Sequence, residues 1–204
     1  MRKYFPLMTV VTSMFLLVAC MVPGTFKAKY TLDNNGQYSF VYDGTIINLF
    51  PKMAEKEAAE KGKPIEKSVA KDTQALAADL EKDSRTKSFN DVGNDTYKVI
   101  MEDAGDIKEK KRAYFLSKDF RYWTLTYDEQ NNTVVFTIEP SSQNNIDLLK
   151  ELNVSPIGEI SFDTKLNLVS STKELSKSFF GSTYSIKVDS TTIKEGLTVV
   201  WSLK

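Results

Sequence analysis

From Phe26 onward, apolar residues occupy every second position: Phe26, Ala28, Tyr30 and Leu32, separated by Lys27, Lys29 and Thr31. A period of two marks a strand buried on one face. Asp33-Asn34-Asn35-Gly36 follows, a run that tolerates the positive φ of tight turns, and Tyr38, Phe40 and Tyr42 then alternate again. The pattern predicts a hairpin. Pro51 suits the first turn of a helix, and the stretch to Gly62 is rich in Ala, Glu and Lys. After the break at Gly62-Lys63-Pro64, a second helical stretch runs to about Ser84, with Ile65, Val69, Leu76 and Leu80 on one side. Its apolar stripe is narrow, which predicts a helix resting on a surface with its charges in solvent.

Period two then returns. Tyr97, Val99 and Met101 alternate, residues 113–116 read as a strand, and 120–127 with 133–138 read as a hairpin across 128–132. Residues 143–152 form a short amphipathic helix carrying Ile146, Leu149 and Leu152, with Asn144 or Asn145 as its cap. Strands follow at 159–165, at about 166–170, at 184–188 and at 197–203. The expected fold class is α+β: a single domain over 25–204, mainly antiparallel sheet, with a helical insertion near 50–84 and a short helix near 143–152.

The front of the chain has a different texture. Arg2 and Lys3 precede residues 5–18, which are apolar except for Pro6, Thr9, Thr12 and Ser13. The run is shorter than the roughly 20 apolar residues that span a membrane, and has the proportions of a secretory signal. It ends in Leu17-Val18-Ala19-Cys20, which resembles the lipobox of bacterial lipoproteins. That resemblance implies cleavage between Ala19 and Cys20, a diacylglyceryl group on the Cys20 sulfur, and acylation, commonly with palmitate, of the new amino group. Two or three acyl chains anchor a protein stably where one does not. On this reading 1–19 is a signal peptide and 20–24 a lipidated cysteine with a short tether ended by Pro23 and Gly24. Met21 stands where an aspartate retains such proteins at an inner membrane. That implies the outer membrane in a Gram-negative host, and otherwise the outer face of the plasma membrane.

Composition narrows the chemistry. The 204 residues suffice for one domain with a sizeable core. Basic and acidic residues balance at 27 each, and loss of Arg2 and Lys3 with the leader leaves net −2. Such a chain has no global electrostatic pull towards nucleic acid. One cysteine excludes an internal disulfide, and the absence of histidine removes the commonest general base and metal ligand. No cofactor or metal is expected.

Serine followed three residues later by lysine occurs at Ser68/Lys71, Ser84/Lys87 and Ser170/Lys173. About two such matches are expected by chance in so Ser- and Lys-rich a chain, and the companion motifs of penicillin-binding enzymes are missing. Glu102, Asp103 and Asp106 form an acidic cluster, read as a solvated turn and, alternatively, as the first residues to suspect in a carboxylate enzyme. Asp33-Asn34-Asn35-Gly36 lacks the spacing of a calcium loop. Tyr122, Trp123 and Tyr127 share one expected strand near Tyr114 and Phe115, and Phe179 and Phe180 precede Gly181. Aromatics in strands fill cores by default, and at exposed edges they stack on sugars or dip into lipid. Tyr122, Trp123 and Tyr127 are therefore the ligand candidates.

Gly158-Glu159-Ile160-Ser161-Phe162 and the closing Gly196-Leu197-Thr198-Val199-Val200-Trp201-Ser202-Leu203 resemble the end of the mycobacterial LppM-type lipoprotein domain. Val199, Trp201 and Leu203 match its final Val-x-Trp-x-Leu pattern, over under a third of the chain. The helical insertion near 50–84 and the loop after Thr172 depart from it. The resemblance implies an envelope lipoprotein that contacts glycolipid. The expected function is a lipid-anchored, non-catalytic envelope module that binds a lipid, glycolipid or protein partner near the membrane. The alternatives are a carboxylate enzyme and a structural subunit of an envelope assembly.

Overall fold

The structure, a computed structural model, describes residues 21–116, 122–178 and 181–203. Their strands are β1 (Met21–Leu32), β2 (Gln37–Asn48), β3 (Thr86–Gly93), β4 (Thr96–Asp106), β5 (Arg112–Tyr114), β6 (Trp123–Asp128), β7 (Thr133–Ile138), β8 (Ile157–Thr164), β9 (Asn167–Ser171), β10 (Ser176–Lys177), β11 (Thr183–Val188) and β12 (Leu197–Ser202). The helices are α1 (Leu49–Lys61), α2 (Lys67–Lys82), α3 (Ile107–Lys110), α4 (Gln143–Glu151) and α5 (Ser190–Glu195). The α+β class and the mainly antiparallel pairing are as the sequence predicts.

The sheet is not one but two. A seven-stranded sheet runs β10-β11-β8-β1-β2-β4-β3, and a five-stranded sheet runs β5-β6-β7-β12-β9. One pairing, β1 with β8, is parallel, with Ala28 opposite Ile160 and Tyr30 opposite Phe162. Alternation within each strand aims one set of side chains at the other sheet. Rings therefore meet across the gap: Phe26 against Trp123 (centroids 5.3 Å apart), Tyr30 against Phe136 (5.5 Å) and Phe162 against Trp201 (4.6 Å). Trp123, Trp201, Tyr42, Phe115, Phe136 and Phe162 are the largest fully enclosed side chains. With no disulfide available, this aromatic layer carries much of the stability.

The β1–β2 hairpin forms as expected. Asp33 Oδ1 accepts from the backbone N–H groups of Asn35 and Gln37, both at 2.9 Å, and Gly36 takes φ of 93°. Helix α1 starts at Leu49, earlier than Pro51 suggests, because the Asn48 side chain accepts from Phe50 N–H at 3.0 Å. Gly62 ends it in the left-handed region at φ 59°. Helix α2 rests on the core through Leu80, with Leu76 and Ala77 half-covered, while Ile65 lies outside the helix and exposed. The cap of α4 is Ser142, whose hydroxyl accepts from Asn145 N–H, and not Asn144 or Asn145.

The tether expected over residues 21–24 is instead the opening of β1. Met21, Val22, Pro23 and Gly24 are all buried. A register shift between Pro23 and Phe26 absorbs the proline, and Gly24 lets the strand pass close to Thr45 and Ile47. Ala19 and Cys20 lie outside the described residues, as do Phe179 and Phe180.

Candidate functional site

The end of the sandwich at Met21 is built differently from its middle. Met21 pairs with Asn48 and Val22 with Ile47, so β1 and the start of α1 share this end. Here Val22, Leu49, Leu149 and Val154 form a second, small apolar cluster, with Ile47, Met53, Tyr122 and Leu152 packed around it. Helices α1 and α4 close it from outside and are tied by the ion pair of Lys56 with Glu151. The hydrogen bond that the Lys56 ammonium donates to Glu151 raises the Lys56 pKa.

Polar atoms are left over within this closure. Asn48 is fully enclosed and its Oδ1 caps α1, while Nδ2 makes no well-formed hydrogen bond, the Tyr97 hydroxyl being close enough to feel it. The Tyr122 hydroxyl is buried without a partner among the described residues, and burial raises its pKa well above the ordinary phenol value. Buried polar groups are ordinarily paired, and an unpaired one costs about 1–3 kcal/mol. Trp201 Nε1, in the middle of the core, and Thr73 Oγ1 on α2 are likewise without a partner among the described residues.

The three sequence candidates do not act as a set. Trp123 is fully enclosed, stacked on Phe115 at 4.1 Å, and its indole N–H donates to the Tyr30 hydroxyl at 3.0 Å. Tyr127 lies half-covered near the far end of β6, donating to Asn132 Oδ1 at 3.0 Å with the Lys111 ammonium over its ring. Tyr122, just ahead of β6, is the one whose polar end has no protein partner among the described residues. Asn48 carried no sequence signal beyond its place before an apolar-to-helical transition, where a cap is expected.

The acidic cluster diverges. Glu102 and Asp103 are neighbours on β4, so their side chains leave opposite faces of the sheet. Glu102 is exposed. Asp103 instead accepts from the Tyr38 hydroxyl at 2.6 Å and from Lys110 at 3.1 Å. Asp106 caps α3, accepting from Lys108 N–H at 2.7 Å, and takes a further bond from Gln37. Asp103 and Asp106 thus have separate structural partners while Glu102 points to solvent, and the geometry needed for a shared acid/base or metal task is not assembled. Among the described residues no group of three potential ligands could hold a metal ion.

A separate polar knot joins the sheets' edges. Arg85 pairs with Asp83 at 2.6 Å and donates to Tyr114 O at 2.9 Å. Burial works to raise the Asp83 pKa, but bonds from the Arg85 side chain and backbone outweigh it and hold the carboxyl below its usual range. Burial and the bond to Asp103 push the Tyr38 phenol upward. A cavity of about 200 Å³ lies between β7, β12 and the turn after β9, crossed by the ion pair of Lys173 with Glu195. It is smaller than the roughly 300 Å³ at which ligand pockets begin.

No protein-family model matches this sequence, and no curated protein matches it. Among solved structures, the NMR structure of the folded domain of Mycobacterium tuberculosis LppM is similar with a TM-score of 0.42 and 9% identity, over 89% of this chain and 92% of that one. A likeness at that level carries no functional argument.

Proposed function

We propose that the chain is a bacterial envelope lipoprotein, anchored by lipid on Cys20, whose sandwich domain binds a lipid, glycolipid or protein partner beside the membrane without catalysing a reaction. One observation carries most of the weight. Met21 and Val22, the two residues after the lipobox cysteine, are already buried in β1. A lipid on Cys20 would hold the domain itself against the bilayer, since consecutive Cα atoms are only about 3.8 Å apart. The chain's lack of histidine and the divergent carboxylates favour binding over catalysis. Tyr122, with Asn48 beside the same apolar cluster, is where a ligand's polar end would be met. The outer membrane of a two-membrane host, or the outer face of a single membrane, remains the compartment this reading implies.

The test compares the full-length chain with Cys20→Ser in a bacterial host. The parent is expected in the membrane fraction and in the detergent phase, and the variant as a heavier, unprocessed precursor. Processing and membrane association of Cys20→Ser like the parent would overturn the reading. Native mass spectrometry of the anchorless domain, made in the same host's export compartment, addresses the ligand. A co-purifying lipid or glycolipid mass is expected, and a bare, folded protein would rule out a tightly held one.

A further inference from the structure

We propose that Asn35 is a site of self-modification, at which the Gly36 nitrogen attacks the Asn35 carboxamide under the Lys108 ammonium. Asn35-Gly36 is the chain's only Asn-Gly pair, and it forms the tip of the β1–β2 hairpin. Glycine has no Cβ to hinder its nitrogen in such an attack. Asn35 is exposed, and its carboxamide makes no hydrogen bond among the described residues. The Gly36 N–H donates to Asp33 O at 3.2 Å, the longest hydrogen bond of the turn, whose others measure 2.9 to 3.1 Å. This nitrogen is therefore the most loosely held of the turn's donors.

The cation comes from another element. Lys108, on α3, lays its stem over Gly36, so that a Cβ built there would fall 3.1 Å from the lysine Cε. The ammonium is bonded to that Cε, and it makes no ion pair or hydrogen bond among the described residues. A cation beside this peptide stabilises the negative charge that develops on the Gly36 nitrogen as it loses its proton, and then on the carboxamide oxygen. The neighbouring carboxylates are engaged elsewhere. Asp33 Oδ1 accepts from the N–H groups of Asn35 and Gln37, and Asp106 accepts from Lys108 N–H and from the Gln37 side chain.

In the attack a bond forms between Gly36 N and Asn35 Cγ, and the Cγ–Nδ2 bond breaks. Nδ2 leaves as ammonia, carrying the proton that the Gly36 nitrogen gave up. Water then opens the succinimide at one of its two carbonyls, leaving an aspartyl residue or an isoaspartyl link, with no redox change. The isoaspartyl form lengthens the main chain by a methylene at a point that the fold uses. Gly36 O accepts from Ile107 N–H at 2.9 Å, tying the hairpin tip to the start of α3. The modification therefore loosens that tie and places a carboxylate beside Lys108.

The test uses the full-length chain, incubated in mildly alkaline buffer and then digested with trypsin. Residues 30–52 form a tryptic peptide that also holds Asn34, Asn48 and the pair Asp43-Gly44. These are internal controls. The residue after Asn34 carries a side chain, Asn48 caps α1 inside the fold, and Gly44 is held in the ladder between Phe26 and Val99. Mass spectrometry with fragmentation is expected to find aspartate and isoaspartate growing in at 35, with the three controls unchanged. Lys108→Met keeps the stem without the charge and should slow the change several-fold, and Lys108→Arg should restore it. In urea all three chains should react alike, because the cation is then no longer held over the turn. An intact Asn35 after prolonged incubation, or equal change at Asn34 or Asn48, overturns the site. A folded Lys108→Met chain that reacts at the parent's rate overturns the part given to the lysine.

Discussion

Trp123 and Tyr30 meet between the two sheets: the indole N–H donates to the tyrosine hydroxyl at 3.0 Å, with both side chains enclosed. The pair joins β6 of one sheet to β1 of the other, and burial raises the Tyr30 pKa so far that the phenol stays neutral. Tyr30→Phe would leave a buried donor unpaired, at about 1–3 kcal/mol. Urea unfolding followed by tryptophan fluorescence should show the midpoint fall with an unchanged slope. An unmoved midpoint would mean that the indole finds another acceptor.

Phe26 fixes two glycines. A Cβ on Gly158 would fall 2.6 Å from its ring, and one on Gly44 would meet its backbone Cα at 2.7 Å. Gly158→Ala is expected to destabilise by about 1–3 kcal/mol through overpacking. Phe26→Leu should restore part of that loss in the double variant, because the obstacle is a side chain. For Gly44→Ala the obstacle includes backbone, so the same second change should restore little. Thermal unfolding of the four variants separates the two cases.

Much of this was legible in the sequence where burial is one-sided. Tyr30, Leu32, Phe40 and Tyr42 stand at every second position between exposed residues because one face of the sheet meets the other sheet and one meets water, and those strands are found where period two predicts them. Strand β3 was not foreseen, since Thr86, Ser88 and Asn90 leave no apolar rhythm on an exposed edge. The tether was misread for a local reason: Pro23 and Gly24 punctuate most chains, but here a register shift lets them stay in the strand. The division into two sheets was invisible because alternation says which face is buried and not against what. For the candidate site, Tyr122 could be singled out only as one of three aromatics on an expected strand, and it stands just ahead of β6. That Trp123 turns inward and Tyr127 bonds locally is decided by packing several strands away.

Asp83 and Arg85 provide a pH signature. The folded state lowers the Asp83 pKa, so this pair stabilises the protein above the unfolded carboxyl value, near 4, and the contribution is lost as pH falls below it. Asp83→Asn should cost about 1–3 kcal/mol at pH 7. The difference from the parent should shrink towards zero as the pH is taken down to about 2. Denaturant melts across that range check it, and a pH-independent difference would assign the loss to packing.

Tyr122→Phe removes a buried hydroxyl that has no partner among the described residues. Its stability should be equal to or slightly above the parent's, since no hydrogen bond is lost. If the hydroxyl serves a ligand, the same variant should lose any co-purifying lipid mass while keeping its melting temperature. A clear drop in stability of the bare domain would show that the hydroxyl is used by the fold instead.

The most direct measurement is mass spectrometry of the N-terminal tryptic peptide of the membrane-extracted protein. Cleavage before Cys20 and after Lys27 predicts a peptide spanning 20–27 that carries a diacylglyceryl thioether, with or without an acylated amine. A peptide that continues upstream of Cys20, or one that begins at Cys20 with a free thiol, would contradict the lipid anchor on which the functional reading stands.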